Sequence, residues 1–314
     1  MVKLQTSKPT LVGRWMAWKW IIWAVVIILL VAIIAVVGIS VYVGWSLTHP
    51  ARKTVTTTPA SVQLRYDNIQ FMSRTKDVQL KGWFLPSATD KKDRTLIIAA
   101  GYAQNRLEQQ VPALSLAKSL INNGYNVVMF DFRDNGESGG TETTVGQLEE
   151  QDLLGAVDWV KQHHPSKVGL IGFSMGATTS LLATADDPSI VGVIADSPFN
   201  NLLSYLKDNL PVWSHLPNFP FTPLILDIIP PLTGMHPEEV NALSAVDRIY
   251  PRPVLFIHSN TDTDIPYTNS ETMWKKHKDK FQFWETTGVG HVGSYAKYKA
   301  MYTAKVESFF GMLM

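Results

Sequence analysis

Hydrophobic positions are concentrated in one long run near the N-terminus. From Trp20 to Trp45 the sequence contains no charged residue. A helix over this run is about 39 Å long, enough to cross a hydrocarbon core of about 30 Å with some tilt. Aromatic side chains cluster at both ends of the run, as in the interfacial belts of membrane-spanning helices. They are Trp15, Trp18, Trp20 and Trp23 at one end and Tyr42 and Trp45 at the other.

The flanking residues favour an uncleaved anchor with its N-terminus in the cytoplasm. A signal peptide has a shorter apolar region, of about 7–15 residues, and a small-residue cleavage site, whereas residues 46–51 make a poor one. A buried core helix would be shorter and would lack aromatic belts. Basic residues are more numerous before the run (Lys3, Lys8, Arg14, Lys19) than shortly after it (Arg52, Lys53). The positive-inside rule therefore predicts a cytoplasmic segment 1–19, a transmembrane helix 20–45 and an extracellular remainder.

Beyond a polar tether at 46–61, short apolar runs alternate with helical patterns. This alternation predicts an α/β domain over 62–314, in which helices cover both faces of a mostly parallel sheet. The predicted strands are 66–73, 78–85, 95–100, 126–131, 168–171, 191–196, 253–258 and 281–285, with helices at about 107–122, 145–163 and 294–311.

The alternation is interrupted between the strands that end near residue 196 and begin near residue 253. The intervening segment is rich in proline, leucine, isoleucine and aromatic residues. A connection this long inside a compact domain is usually functional. We expect it to form a helical cap over the strand ends, at about 198–250.

Gly172-Phe-Ser174-Met-Gly176 lies between a predicted strand and a helix rich in small residues. A Gly-x-Ser-x-Gly sequence in this context is the nucleophile elbow. The sharp turn places the serine in strained backbone geometry, and side chains at the two glycine positions would collide with neighbouring elements. The pattern predicts Ser174 as a nucleophile, held above the sheet at the N-terminus of a helix.

A serine nucleophile needs a base, and the base needs an acid that orients it. In a parallel sheet these groups come from loops at the carboxyl ends of strands. His291 lies in a glycine-rich loop after the last strand and is the predicted base. Asp262 follows the preceding strand and is the predicted acid, with Asp264 and Asp196 as alternatives. The chain order Ser174, Asp262, His291 is the order of the α/β-hydrolase triad.

Stabilising an oxyanion requires backbone N–H donors. Met175, directly after the nucleophile, supplies one, and Tyr102, in the loop that leaves strand 95–100, is expected to supply the other. The chain has a net charge of +1 and no cysteine, so we expect neither a nucleic-acid surface nor a disulfide or thiolate site. No metal or cofactor is expected.

These motifs make residues 62–314 resemble the α/β-hydrolase superfamily of serine hydrolases. The similarity is to its lipase/esterase-like and serine aminopeptidase-like branch, here as a membrane-anchored bacterial cell-surface hydrolase. The segment from Asp131 to Gly139 resembles the family's Asp-x-Arg-Gly-x-Gly-x-Ser loop, which shapes the site without reacting. The sequence departs from the family pattern at Ala100, Ser259 and Asp134, where relatives have histidine, glycine and glycine.

The resemblance and the triad imply an acyl hydrolase that forms an acyl-enzyme. The apolar cap favours an ester with a hydrophobic acyl or aromatic part, and the anchor favours one derived from a lipid. A peptidase or amidase is the alternative, and it would need a cap carboxylate such as Asp208, Glu238 or Glu239 to hold a free amine. Thioesterase or acyltransferase activity and a catalytically silent interaction module are further alternatives.

Overall fold

The computed structural model describes residues 11–89 and 93–314. Lys3 and Lys8, used above to orient the anchor, lie outside the described residues. Helix α1 runs from Leu11 to Thr48. Its stretch Trp18–Thr48 is the one helix of the described residues that is long and apolar enough to cross a membrane. Every side chain from Trp18 to Ala35 is exposed on the protein surface, as expected of a helix surrounded by lipid.

Eight strands form one mixed sheet in the order β1-β2-β4-β3-β5-β6-β7-β8. Only β2 runs against its neighbours, and all pairs from β4 to β8 are parallel. The strands are β1 Asp67–Met72, β2 Gln79–Leu85, β3 Arg94–Ala99, β4 Asn126–Phe130, β5 Lys167–Phe173, β6 Ile190–Asp196, β7 Val254–Ser259 and β8 Phe281–Thr286.

Helices cover both faces of this sheet, because alternate residues of each central strand point to opposite sides. In β3, Ile97 and Ala99 belong to one hydrophobic cluster, and Leu96 and Ile98 belong to the other. The prediction of a doubly wound α/β-hydrolase fold is confirmed. The remaining helices are α2 Ala113–Asn122, α3 Glu149–His163, α4 Met175–Asp186, α5 Leu202–Ser214, α6 Asn218–Thr233, α7 Ala242–Ile249, α8 Thr268–Lys276, α9 Ser294–Lys297 and α10 Lys299–Gly311.

Two helices begin later than the sequence pattern predicts, in both cases because a buried side chain organises the preceding loop. Helix α2 begins at Ala113, since residues 101–111 form turns in which Arg106 and Glu108 are buried. Helix α3 begins at Glu149. The Glu149 carboxylate accepts hydrogen bonds from both Thr143 and Thr144 and from the Gly146 N–H, at 2.7–2.8 Å, and so holds these residues in a turn.

The interruption between β6 and β7 forms a helical cap, as predicted, from α5 and α6, and α7 then packs against α4. Helix α6 packs against the C-terminal part of α1. At the contact, the ideal Cβ position of Gly44 lies 3.2 Å from the Ile229 side chain and 3.9 Å from that of Ile225. The absence of a side chain at residue 44 therefore brings the two helices close together.

The segment predicted as a tether is held against the domain along its first half. Residues 46–48 are still helical, and Thr143 N–H donates to the Thr48 carbonyl at 2.7 Å. The Arg52 guanidinium donates to the Asp134 carboxylate at 3.0 Å and to the Ser138 carbonyl at 2.6 Å. Asn105 donates to the backbone carbonyls of residues 53 and 54. Helix α1 is therefore connected to the domain by specific contacts.

A buried ion pair beside the sheet gives a test of stability. Arg133 and Asp152 meet at 2.8 Å, with side chains that are 4% and 0% exposed. Asp152→Asn leaves the buried Arg133 charge with only the half-exposed Asp77 carboxylate, at 3.1 Å, so it should lower the free energy of unfolding by about 3 kcal/mol. Chemical denaturation of the full chain in detergent, followed by tryptophan fluorescence, measures this loss.

Glu271→Gln provides the matched control, because Glu271 pairs with Lys275 on an exposed helix face. The control should cost about 0.5 kcal/mol or less. Equal losses for the two variants would contradict a structural role of the buried pair.

Candidate active site

Ser174 occupies a strained turn between β5 and α4. Its backbone has φ 53° and ψ −119°, a conformation that non-glycine residues rarely adopt, and its N–H donates to the Asp196 carbonyl at 2.9 Å. A Cβ at Gly172 would collide with the backbone of Gly176. One at Gly176 would collide with the carbonyl oxygens at the end of β3. Both glycines are therefore required for α4 to pack this closely on the sheet.

Ser174, His291 and Asp262 form a continuous chain of contacts. His291 Nε2 lies 2.7 Å from Ser174 Oγ, and His291 Nδ1 lies 2.7 Å from Asp262 Oδ2. The three side chains come from the loops after β5, β8 and β7, at the carboxyl ends of neighbouring parallel strands. The arrangement has the geometry of a nucleophile, a base and an orienting acid.

The Asp262 side chain is fully buried but remains ionised. Burial acts to raise its pKa, whereas hydrogen bonds from His258, His291 and the Ile265 N–H lower it, and the net pKa lies well below the usual range. An ionised carboxylate can only accept hydrogen bonds. Because Asp262 accepts from Nδ1 of His291, the proton of the neutral imidazole is on Nδ1, and Nε2 is free to accept the Ser174 proton.

Nearby carboxylates raise the pKa of the predicted base, His291. Burial lowers the pKa of His291, but its hydrogen bond to Asp262 and attraction to Asp262, Asp264 and Asp196 raise it more. The net pKa lies above the ordinary histidine value. The imidazolium that forms when His291 takes a proton is therefore stabilised by its surroundings.

The two alternative acids have other partners. Asp196 is fully buried and accepts from Ser197 at 3.0 Å and from the Tyr302 hydroxyl at 3.1 Å, and burial raises its pKa to about 6. Asp264 is exposed at the edge of the site, and its N–H donates to the Asp262 carboxylate at 2.9 Å. Among the described residues, Asp262 is the carboxylate within hydrogen-bond distance of the His291 ring.

His258 is a buried residue whose place in the site the sequence did not indicate. Its Nε2 lies 2.9 Å from the Ile265 carbonyl and 3.3 Å from Asp262 Oδ2, and its Nδ1 lies 2.8 Å from Ser270 Oγ. A carbonyl can only accept, so Nε2 carries the proton and Nδ1 accepts from Ser270. His258 thus braces the loop that carries the acid. The sequence feature that could have indicated this role is the position of His258 at the end of β7, four residues before Asp262.

Ser259, one of the departures from the family pattern, connects the acid loop to the histidine loop. Its hydroxyl donates to the Val289 carbonyl at 2.7 Å. Thr261 donates to the same carbonyl at 2.7 Å and accepts from the Val289 N–H at 3.1 Å. These bonds fix the distance between the two loops that carry Asp262 and His291.

Two backbone donors beside Ser174 have no hydrogen-bond partner within the described part of the chain. They are the N–H groups of Tyr102, in the loop after β3, and Met175, the first residue of α4. The adjacent Gly101 N–H is already occupied, because it donates to the buried Glu108 carboxylate at 2.5 Å. Burial raises the pKa of Glu108. The free donors are the two residues that the sequence predicts for an oxyanion site.

The loop from Asp131 to Gly139 stands behind the site and is organised by a buried carboxylate. Asp131 accepts from the Arg106 backbone N–H at 2.6 Å, from the Arg106 guanidinium at 2.5 Å and from the Glu137 N–H at 2.9 Å. Asp134, another departure from the family pattern, provides the carboxylate that binds Arg52. The substitution of the family's glycine here creates a contact with the segment that follows α1.

Ser174 and His291 open into a cavity of about 600 Å³, in the size range of small-molecule sites. Its lining is mostly apolar. The cap contributes Leu202, Tyr205, Leu206, Leu210, Trp213 and Ser214, and α1 contributes Tyr42, Val43, Ser46 and Leu47. The cap acids Asp208, Glu238 and Glu239 do not line it, whereas Asp264 does.

Comparison with known proteins places the chain among hydrolases. Residues 82–305 match the family model described as X-Pro dipeptidyl-peptidase (S15 family). The chain is 32% identical to the uncharacterized protein YqkD of Bacillus subtilis over 235 residues, covering 73% of this chain and 74% of that protein. It is 31% identical to the lysophosphatidylserine lipase ABHD12 of Danio rerio over 163 residues, covering 49% and 40%.

Among solved structures, the chain resembles the Pyrococcus furiosus esterase Pf2001, with a TM-score of 0.72 and 27% identity over 85% of this chain and 98% of that one. The α/β hydrolase GrgF from a Penicillium species shares the fold, with a TM-score of 0.63 at 19% identity, over 80% of this chain and 99% of that one. With the elbow, the sheet and the family match considered together, the chain belongs to the S15 family of serine hydrolases with the α/β-hydrolase fold.

Proposed function

We propose that the protein is a membrane-anchored serine esterase. The observation that carries this proposal is the chain of two 2.7 Å contacts from Asp262 through His291 to Ser174 at the base of an apolar cavity. In the proposed reaction, His291 Nε2 accepts the Ser174 proton as Ser174 Oγ attacks the ester carbonyl carbon. The N–H groups of Tyr102 and Met175 donate to the resulting oxyanion.

Collapse of the tetrahedral intermediate releases the alcohol, which takes its proton from His291, and leaves the acyl group on Ser174. Water then attacks the acyl carbonyl while His291 accepts a proton from it. The second intermediate releases the carboxylic acid and returns the proton to Ser174. Throughout the cycle, ionised Asp262 holds the imidazole orientation and stabilises its charged form.

The mostly apolar lining of the cavity favours an ester substrate. A dipeptidyl-peptidase must hold the free amine of its substrate, which calls for a carboxylate in the site, and none of the three candidate cap acids lines the cavity. Asp264 is the carboxylate available there, so cleavage of an X-Pro p-nitroanilide is the test of the peptidase alternative. The similarity to the Danio rerio lipase and the Pyrococcus furiosus esterase also supports an acyl ester.

The apolar helix supports a cell-membrane location with one spanning segment. We propose the orientation that the basic residues favour, with the N-terminus in the cytoplasm and the hydrolase domain outside. The contacts of Arg52 and Thr48 with the domain support α1 remaining attached to it.

Replacing the nucleophile tests the proposal directly. Ser174→Ala in detergent-solubilised full chain should abolish labelling by a fluorophosphonate and lower kcat for p-nitrophenyl butyrate by about 10⁴-fold or more. Ser204→Ala, on the exposed face of α5, should keep both properties. A folded wild-type chain that neither labels nor hydrolyses any ester would show that the domain is an interaction module.

The pH dependence of kcat/KM tests the base. Protonated His291 cannot accept the serine proton, so activity is lost as the pH falls through its pKa. That pKa is raised, so the midpoint of the acid limb should lie above about 6.5. Asp264→Asn removes one of the attractions that raise the pKa and should move the midpoint to lower pH. Asp208→Asn, an exposed cap acid outside the cavity, should leave it unchanged. A flat profile between about pH 5 and 8 would be incompatible with His291 as the base.

A further inference from the structure

The membrane-spanning helix forms one wall of the cavity that contains Ser174. Tyr42, Val43, Ser46 and Leu47 line it, and all four lie in the last turns of α1. Val43, Ser46 and Leu47 follow Tyr42 by one, four and five residues, which places all four on one face of the helix. Besides being long and apolar enough to cross a membrane, α1 thus contributes side chains directly to the candidate substrate site.

The position of this wall is fixed by contacts with the domain. The Tyr102 hydroxyl donates to the Leu47 carbonyl at 2.7 Å, and the backbone N–H of the same residue is the donor proposed for the oxyanion. The buried positions Ser40, Gly44 and Thr48 recur every four residues along the side of α1 that packs on the domain. The distance between the anchor and Ser174 is therefore set by the fold.

The wall lies at the level of the membrane surface. Counting from Trp20, where the charge-free run begins, a helix spans a hydrocarbon core of about 30 Å in roughly 20 residues, which ends near Ile39. Tyr42 follows about 5 Å further along the helix, at the depth of the lipid headgroups. Tyr42 and Trp45 are exposed on α1, as expected of interfacial aromatic residues.

The cap, whose helix α6 packs against α1, also carries exposed apolar side chains. Phe219, at the start of α6, is 83% exposed, and Val212 on α5 is 63% exposed. The neighbouring Trp213 is 44% exposed and also lines the cavity. Side chains of this kind on a surface beside a membrane helix are suited to contact with lipid. Apolar surface is thus present on α1, on the cap and inside the cavity.

We infer that the substrate is a single-chain acyl ester of the lipid leaflet, which enters the cavity sideways from the bilayer between α1 and α5. This inference rests on the proposed esterase function. The cost of exposing an acyl chain to water grows with each methylene, and a path along apolar surface avoids that cost. A cavity of about 600 Å³ accommodates one such chain with a small polar headgroup.

A bulky side chain on the wall should impede the lipid more than a small ester. Full-length protein in phosphatidylcholine vesicles is assayed for oleate release from monoolein in the bilayer and for hydrolysis of water-soluble p-nitrophenyl acetate. Ser46→Trp and Val43→Trp should each lower the monoolein-to-acetate ratio of kcat/KM by about tenfold or more. Val41→Trp, an exposed position of α1 outside the cavity, should keep the wild-type ratio.

The esterase function and the entry of substrate from the bilayer are contradicted by different results. A wild-type chain that hydrolyses neither substrate overturns the esterase function itself. Hydrolysis of acetate without monoolein, or equal ratios for the cavity and Val41 variants, overturns entry from the bilayer while leaving the esterase in place.

A second measurement does not depend on turnover. Since the chain has no cysteine, Ser46→Cys creates a single site for a fluorescent bimane label. Brominated phosphatidylcholine with bromine atoms near the headgroup should quench this label, and monoolein should change its emission. A label that is insensitive to the brominated lipid would place the wall away from the membrane and overturn the inference.

Discussion

The turn at Ser174 connects the packing of the sheet to the chemistry of the site. Its positive φ is tolerated because β5 and α4 hold it from both sides, and they can approach each other only because residues 172 and 176 have no side chains. The same close approach places the N-terminus of α4, with the free N–H of Met175, beside the hydroxyl. A residue larger than glycine at either position would move the helix and with it both the Ser174 hydroxyl and the Met175 N–H.

The other two members of the site depend on a second set of constraints, among loops that are remote from Ser174 in sequence. His258 braces the acid loop through the Ile265 carbonyl, and Ser259 and Thr261 bind that loop to the histidine loop through Val289. Asp262 can stay ionised in a buried position because several donors surround it. The low pKa of the acid and the raised pKa of the base have a common origin in this network, since the charge of Asp262 stabilises the protonated form of His291.

Helix α1 and the domain form one structural unit around the cavity. The glycine at residue 44 allows α1 to pack on α6, and Arg52 joins the following segment to the loop at Asp134. The Tyr102 hydroxyl contacts the end of α1, and the Tyr102 backbone lies beside Ser174. This one residue therefore connects the end of the helix to the site. Helix α1 is therefore fixed to the domain rather than joined to it by a free linker.

The sequence by itself was sufficient to predict the anchor helix, the α/β-hydrolase fold and the cap, because these follow from local hydrophobic patterns. It was also sufficient to predict the strained turn at Ser174, because the two glycines that this turn requires lie within five residues of each other. The order of the loops pointed to Asp262 and His291, but the choice among Asp262, Asp264 and Asp196 depended on contacts between loops that are distant in sequence. Only the tertiary structure placed His258 behind the acid and the end of α1 in the cavity wall. Both result from packing between segments that no local pattern relates, since the partner of each residue is selected by the fold as a whole.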